Sequence, residues 1–339
     1  MKYNVLSKIL RSRNLAGTPK FIQLTQSISG AIENGHFQIG DKLPSVNNMS
    51  DNLNISRDTV FAAYNELVKK GIVKVEPRKG YYIKNKNLRI QRNIFLLFDE
   101  LNAFKEDLYN AFLNEAGNRV KTDIFFHHFN QRVFQMLIDE NAGKYTDYVI
   151  MPAGMKHVKK SIEQLPRKRT FLLDQPMITD NPPNGVFQNF EQIVYHGLNQ
   201  LKHRFTIYQN AYLVYPRREC YPEGIRTGFT RFFKEMNMKF YIYDNLNKIP
   251  LSKGNMYMII DDRDLASVIL DARGKALLLG KDIGIVSFNE MHLKQVVDIG
   301  ITTISNDFED MGRKIAQMVM NKEKGMIESA WKVYERNSL

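Results

Sequence analysis

The sequence predicts an α/β protein in two parts, a small basic head built as helix, turn, helix and hairpin, and a larger body of parallel α/β layers. Three observations carry this reading. Charge is divided unevenly: residues 1–92 hold 16 Lys and Arg against 6 Asp and Glu, while residues 93–339 hold 32 against 30. The first part shows two helix caps in series followed by two β-rich runs, and the second repeats short apolar runs separated by stretches of helical period. At 339 residues the chain also exceeds a usual single domain of roughly 100 to 200 residues.

Composition narrows the classes. With 43% hydrophobic and 25% charged residues, no low-complexity tract and no apolar run approaching the roughly 18 residues of a membrane span, a soluble protein with no membrane partner is expected. The start, MKYNVLSKIL, lacks a signal-peptide apolar stretch. A single cysteine, Cys220, read as a packed thiol, excludes an intramolecular disulfide framework and fits a reducing cytoplasm. The excess of +10 on residues 1–92, against +2 on the remainder, is the electrostatic footprint of a nucleic-acid-binding module attached to a near-neutral one.

Between Thr18 and His36, Phe21, Leu24, Ile28 and Ile32 recur at helical spacing, and the helix ends near Gly35. Ser45, after Leu43-Pro44, caps a short helix through Leu53. Asn54-Ile55-Ser56 makes a tight turn, and Ser56 caps a second helix running to Gly71. Val60, Tyr64, Leu67 and Val68 face inward. The runs Ile72–Val75 and Tyr81–Ile83, around Pro77-Arg78-Lys79-Gly80, form a basic hairpin or wing. In such an arrangement the second helix enters the major groove with its N-terminal residues toward base edges. Arg57, Asp58 and Thr59 occupy that end. Arg57 can fork onto a guanine or a phosphate, Thr59 can meet a thymine methyl or a phosphate, and Arg78 and Lys79 can reach the backbone or minor groove.

The stretch GDKLPSVNNMSDNLNISRDTVFAAYNELVKKGIVKVEPRKGYYI, residues 40–83, resembles the GntR family of regulators. It carries a Leu-Pro-Ser entry, a Ser-Arg-x-Thr-Val start to the recognition helix, a Leu-x-x-x-Gly exit and a Gly-aromatic wing. It departs by Asn47 where the family usually has Arg, and by keeping only Gly80 of two wing glycines. The resemblance implies a winged helix-turn-helix over residues 1–83 that binds double-stranded operator DNA, with Ser45, Ser56, Arg57, Asp58, Thr59, Arg78, Lys79 and Gly80 at the interface. A homodimer whose two heads read a pseudo-palindromic operator is the assembly expected on grounds of symmetry.

Residues 84–93, KNKNLRIQRN, read as a polar, basic linker, and residues 94–339 as the body. Apolar runs at Ile94–Phe98, Tyr148–Met151, Thr170–Leu173, Ala211–Val214, Met256–Ile260 and Ile283–Phe288 alternate with helical stretches, which implies parallel layers. Ligands of open parallel sheets bind beyond the carboxyl ends of the strands. The polar residues there are Asp99, Asp174, Asp261, Asp262 and Asn289, suited either to sugar hydroxyls or to capping the helices that follow.

Three segments, MIIDDRDLASVILDARG, GKDIGIVSFNE and ITTISNDFEDMGRKIAQMVM, resemble the two-lobed effector domain of LacI-type repressors and type 1 periplasmic binding proteins. That resemblance implies effector contacts at Asp174, Asp262 and Asn289, with Asp261 able to exchange roles with Asp262. The family's cation falls on Ile225, leaving Arg226 one position later, or Arg217 or Arg218, to supply it. These arginines keep phosphorylated sugars open beside neutral ones. The head and body together resemble the arabinose-repressor subgroup of GntR regulators, which implies a repressor of carbohydrate-utilisation genes controlled by a monosaccharide. No catalytic constellation is recognised: His127-His128 lacks metal-site spacing, there is no Gly-rich phosphate loop, and Asp261, Asp262 and Asp264 lack a partner nucleophile or base. Neither a cofactor nor a metal is expected. The competing reading is a sugar-modifying enzyme with an accessory DNA-binding head.

Overall fold

The computed structural model describes residues 19–85, 92–117, 120–176, 183–216, 221–246 and 249–339. In the head, α1 (Lys20–Glu33) buries Leu24, Ile28 and Ile32 of the stripe that its spacing predicts, together with Ala31, and leaves Phe21 at its start only partly covered. Ser45 caps α2 (Val46–Leu53) by accepting the amide of Asn48, and Asn54, at φ 52°, closes it in the left-handed conformation that asparagine tolerates. Ser56 caps α3 (Arg57–Lys69). This helix stops short of the expected Gly71 because Lys70 caps it and Gly71, at φ 66°, turns the chain into the wing. The wing is an antiparallel pair, β1 (Val73–Glu76) and β2 (Gly80–Ile83). Val60, Ala63, Tyr64 and Leu67 of α3 are buried, whereas Val68 is only partly covered. The Tyr64 hydroxyl donates to the Pro44 carbonyl at 2.8 Å, tying α3 to the entry of α2.

The body comprises two parallel sheets. The first has the order β13-β7-β6-β5-β3-β4, from β3 (Arg92–Phe98), β4 (Val120–Phe126), β5 (Asp147–Ile150), β6 (Thr170–Asp174), β7 (Asn184–Phe187) and β13 (Met326–Glu328), all parallel. Its helices are α4 (Ala103–Ala116), α5 (Gln131–Asn141), α6 (Lys159–Glu163) and α11 (Phe308–Asn321). β3 begins inside the expected linker: Arg92 and Asn93 pair with Val120 and Lys121, and the Arg92 guanidinium donates to the carbonyls of Val319 and Met320 at the end of α11. The rest of that linker, residues 86–91, lies outside the described residues.

The second sheet has the order β14-β12-β11-β10-β8-β9, from β8 (Asn210–Val214), β9 (Lys239–Tyr243), β10 (Asn255–Ile259), β11 (Ile283–Phe288), β12 (Thr302–Asn306) and β14 (Trp331–Tyr334), with only β14 antiparallel. Its helices are α7 (Phe190–Gln200), α8 (Glu223–Glu235), α9 (Asp262–Gly274) and α10 (His292–Val296). β5, β10, β11 and β12 are buried along their whole length, as strands covered on both faces must be. Separate apolar clusters occupy the two faces of each sheet. α11 packs on α4 at Gly312, where a Cβ would stand 2.2 Å from the Leu108 carbonyl oxygen.

The chain passes between lobes three times: from β7 into α7, from β12 into α11, and from β13 into β14. These passages are bonded together. Ser329 donates its amide to Phe187 O at 2.9 Å and its hydroxyl to the Asn306 carboxamide oxygen, and Asp307 N donates to Ala330 O at 2.8 Å. Phe187 ends a strand of the first sheet and Asn306 a strand of the second, so the carboxyl ends of strands from both sheets meet at this hinge.

Candidate DNA-binding surface and effector cleft

On the head, Ser45, Ser56, Arg57, Asp58, Arg78 and Lys79 are exposed and Thr59 is partly so. The Ser56 hydroxyl accepts the Thr59 amide at 3.2 Å and shares a hydrogen bond with the Thr59 hydroxyl at 2.8 Å, fixing the first turn of α3. Arg78, at φ 63°, and Gly80, at φ 114°, make the wing tip, so the side chains of Arg78 and Lys79 stand out in solvent. The sequence-predicted residues of the head therefore share the ends of two capped helices and one wing.

On the first lobe, Asp99 follows β3 and forms a buried ion pair with Lys105 of α4. Asp174 ends β6 at φ 78° and is buried; its carboxylate accepts from the Gln188 amide nitrogen, and its carbonyl accepts the Gln188 backbone amide at 2.9 Å. Burial pushes the Asp174 carboxyl up to about 6; Lys105 opposes the shift and Asp99 adds to it. His127 is fully buried, with Nε2 donating to Met151 O at 3.0 Å and Nδ1 accepting the Phe129 amide at 3.2 Å. That pattern requires the neutral ring, and burial lowers its pKa accordingly. His127 is a core residue and His128 an exposed one.

On the second lobe, Asp261 caps α9 through the Arg263 amide at 2.8 Å and accepts the Tyr221 hydroxyl at 3.0 Å. Asp262 pairs with Lys294 at 2.8 Å. Lys294, only 3% exposed, also donates to Ser287 Oγ at 2.9 Å and to Asn289 O at 2.8 Å, gathering the end of β10 and the end of β11 around one ammonium group. Desolvation pulls its pKa down and Asp262 resists the shift. Asn289, at φ 62°, presents a buried Oδ1 with no protein partner. Beside it, Glu290 accepts from Thr303 Oγ1 and from Arg336 at 2.9 Å through Oε2, while its Oε1 has no partner.

Asp174 thus ends a strand of the first sheet, while Asp261 and Asp262 follow β10 and Asn289 follows β11 of the second. Arg226 stands exposed on α8 and pairs with Glu223 at 3.3 Å within its own helix. Arg217, Arg218 and Cys220 lie outside the described residues. Sequence reading missed Lys105, Gln188, Glu290, Lys294 and Asn306. Gln188 and Asn306 follow or end strands and share the positional signal that found Asp174; Lys294 carries no local signal at all.

Residues 22–83 match the family model described as bacterial regulatory proteins, gntR family. An uncharacterized HTH-type transcriptional regulator of Bacillus subtilis, YurK, is 31% identical over 114 residues, 34% of this chain, which thereby spans 43% of that relative's length. Among solved structures, a LacI family transcriptional regulator from Arthrobacter in complex with lactose aligns with TM-score 0.61 and 12% identity, covering 73% of this chain and 99% of its own. Another, from Lactobacillus casei with bound sucrose, aligns with TM-score 0.60 and 11% identity over 73% and 99% of the two chains. These likenesses show the fold of the body. The chain accordingly joins a winged helix-turn-helix that matches the gntR-family model over residues 22–83 to a two-lobed parallel α/β body with the fold of LacI family regulators.

Proposed function

We propose that this chain is a transcription regulator, acting as a repressor of carbohydrate-utilisation genes, whose affinity for double-stranded operator DNA is set by a monosaccharide or related polyol in the cleft. The observation that carries the reading is a set of buried polar atoms without partners at the strand ends and hinge: Gln188 Oε1, Asn289 Oδ1, Glu290 Oε1 and Asn306 Nδ2. Each such atom costs about 1–3 kcal/mol while unsatisfied, and three acceptors with one donor suit hydroxyl groups, which both donate and accept. Asp174, Asp261, Asp262 and Asn289 complete the polar walls. That two solved proteins of the same fold hold lactose and sucrose supports this ligand class.

The head supplies the DNA contacts through Arg57, Asp58, Thr59, Arg78, Lys79 and Gly80, with the capped helix starts at Ser45 and Ser56 set toward phosphates. Leu270, Leu278, Leu293, Val296 and Ile299, all exposed on the second lobe around the Arg273–Asp298 ion pair, favour a homodimer. No helix among the described residues is long and apolar enough to cross a membrane; action on DNA in the cytoplasm is part of the proposal. A thermal-shift screen of the full chain against monosaccharides and sugar phosphates tests the ligand class, since specific binding raises Tm. A neutral sugar that raises Tm in the native chain and not in Asn289→Ala is expected. A response to sugar phosphates alone, or equal responses in both chains, contradicts the reading.

A further inference from the structure

Phe61 is the one large apolar side chain that α3 exposes. It is 51% exposed on a helix whose other apolar positions are turned inward. At 100° per residue, Arg57, Phe61 and Asn65 follow one another along a single stripe, with Asp58 and Ala62 beside it, while Val60, Ala63 and Leu67 turn away from it and are buried, and buried Tyr64 lies between the two faces. The stripe starts at the capped N-terminus of α3, and Ser45 at the start of α2 and the wing residues Arg78 and Lys79 are exposed as it is. Among the described residues no ring packs on Phe61, and it lies outside the apolar core of the head. A phenyl group left in water in the middle of a polar, DNA-directed stripe gains nothing for folding. On the major groove it meets a wall of donors and acceptors in which only thymine offers an apolar group, its C5 methyl.

We infer that Phe61 is a specificity-determining residue of the head, reading thymine in each half-site by apolar contact with its methyl group. The inference rests on the DNA-binding reading and adds a chemical preference to it. Arg57, one turn earlier, supplies the polar contact to a neighbouring base or phosphate, so the stripe pairs a hydrogen-bonding reader with a methyl reader. Burying one methyl group against a phenyl face is worth about a fourfold change in affinity.

The test begins with the full chain and a randomised duplex library, from which the native protein recovers its preferred sequence. In that duplex each thymine is then replaced singly by deoxyuridine, which removes only the methyl group, and binding is measured by fluorescence anisotropy for the native chain, Phe61→Ala and Phe61→Leu. One position per half-site should weaken the native chain by about three- to fourfold on loss of the methyl. Phe61→Ala should be indifferent to the same replacement, and Phe61→Leu should retain part of the response. If the native chain and Phe61→Ala respond alike at every thymine, the inference is overturned, and a changed oligomeric state in Phe61→Ala would assign the ring to a protein contact instead. Recovery of no preferred sequence by the native chain would overturn the DNA-binding reading itself, and this inference with it.

Discussion

Asp174, a proposed effector contact, carries a cost to the stability of the fold. Its carboxylate sits where burial raises its pKa to about 6, against 3.8 for the free group, so the folded chain binds this proton more tightly than the unfolded chain. The ionised form therefore opposes folding: the penalty is fully present above about pH 6 and is relieved as pH falls toward 4. At about 1.36 kcal/mol per unit, the penalty near neutrality is about 2–3 kcal/mol. Asp174→Asn removes it, keeps an acceptor for Gln188 and suits φ 78°, so Tm of the unliganded chain at pH 7.5 should rise by roughly 4–10 °C. At pH 4 the two chains should melt together, while sugar affinity falls about tenfold for loss of a charged acceptor. A lower Tm for Asp174→Asn at pH 7.5 would show that the native carboxylate is stabilising. Lys294 is the converse case, a buried cation that organises the opposite wall. Lys294→Met keeps the stem but strands the acceptors at Ser287, Asn289 and Asp262. It should cost about 2–3 kcal/mol in urea denaturation and weaken sugar binding, whereas an unchanged midpoint would reduce Lys294 to a bystander.

At the scale of elements, the head depends on local signals and the body on close approaches between distant segments. Ser56→Ala should lower head stability by about 1 kcal/mol and DNA affinity with it, because the cap of α3 and the anchor of Thr59 are lost together. Full DNA affinity in Ser56→Ala would contradict that coupling. Gly312→Ala drives a methyl group against the Leu108 carbonyl, and the displaced α11–α4 contact should cost about 1–3 kcal/mol without touching the cleft, read as a shifted urea midpoint. This contrast also sets what was legible in the sequence. Ser45 and Ser56 are legible as caps because a cap is decided within four residues, and Ile283–Phe288 is legible as a covered strand because its run is unbroken. α3 ends two residues before the Gly71 that the sequence predicts, since several helix-forming side chains precede Gly71 and only the turn geometry decides between them. The start of β3 reads in sequence as linker because Arg92 and Asn93 are polar; what makes them strand is pairing with Val120 and Lys121 and the grip of α11, over 200 residues away in sequence. Lys294 reads in sequence as a surface lysine on a five-residue helix, and only the fold of β10, β11 and α9 around it reveals a buried charge.

At the scale of the whole molecule, the hinge joins the cleft to the lobes it separates. Gln188 holds Asp174 on the first passage, the neighbouring Phe187 carbonyl accepts from Ser329 on the third, and Ser329 bonds Asn306 on the second. On the proposed function, a ligand that satisfies Gln188 Oε1 and Asn306 Nδ2 bonds directly to the passages that join the two lobes. Such a ligand can move operator affinity only by as much as it prefers one arrangement of the lobes over the other, and about 1–3 kcal/mol of preference corresponds to a 5- to 150-fold change. The measurement that tests this most directly is the affinity of the full chain for its selected duplex, titrated by fluorescence anisotropy with and without a saturating sugar that raises Tm. A change of at least fivefold, lost in Asn289→Ala, is the predicted result; equal affinity with and without bound sugar would contradict the account of a head controlled by its body.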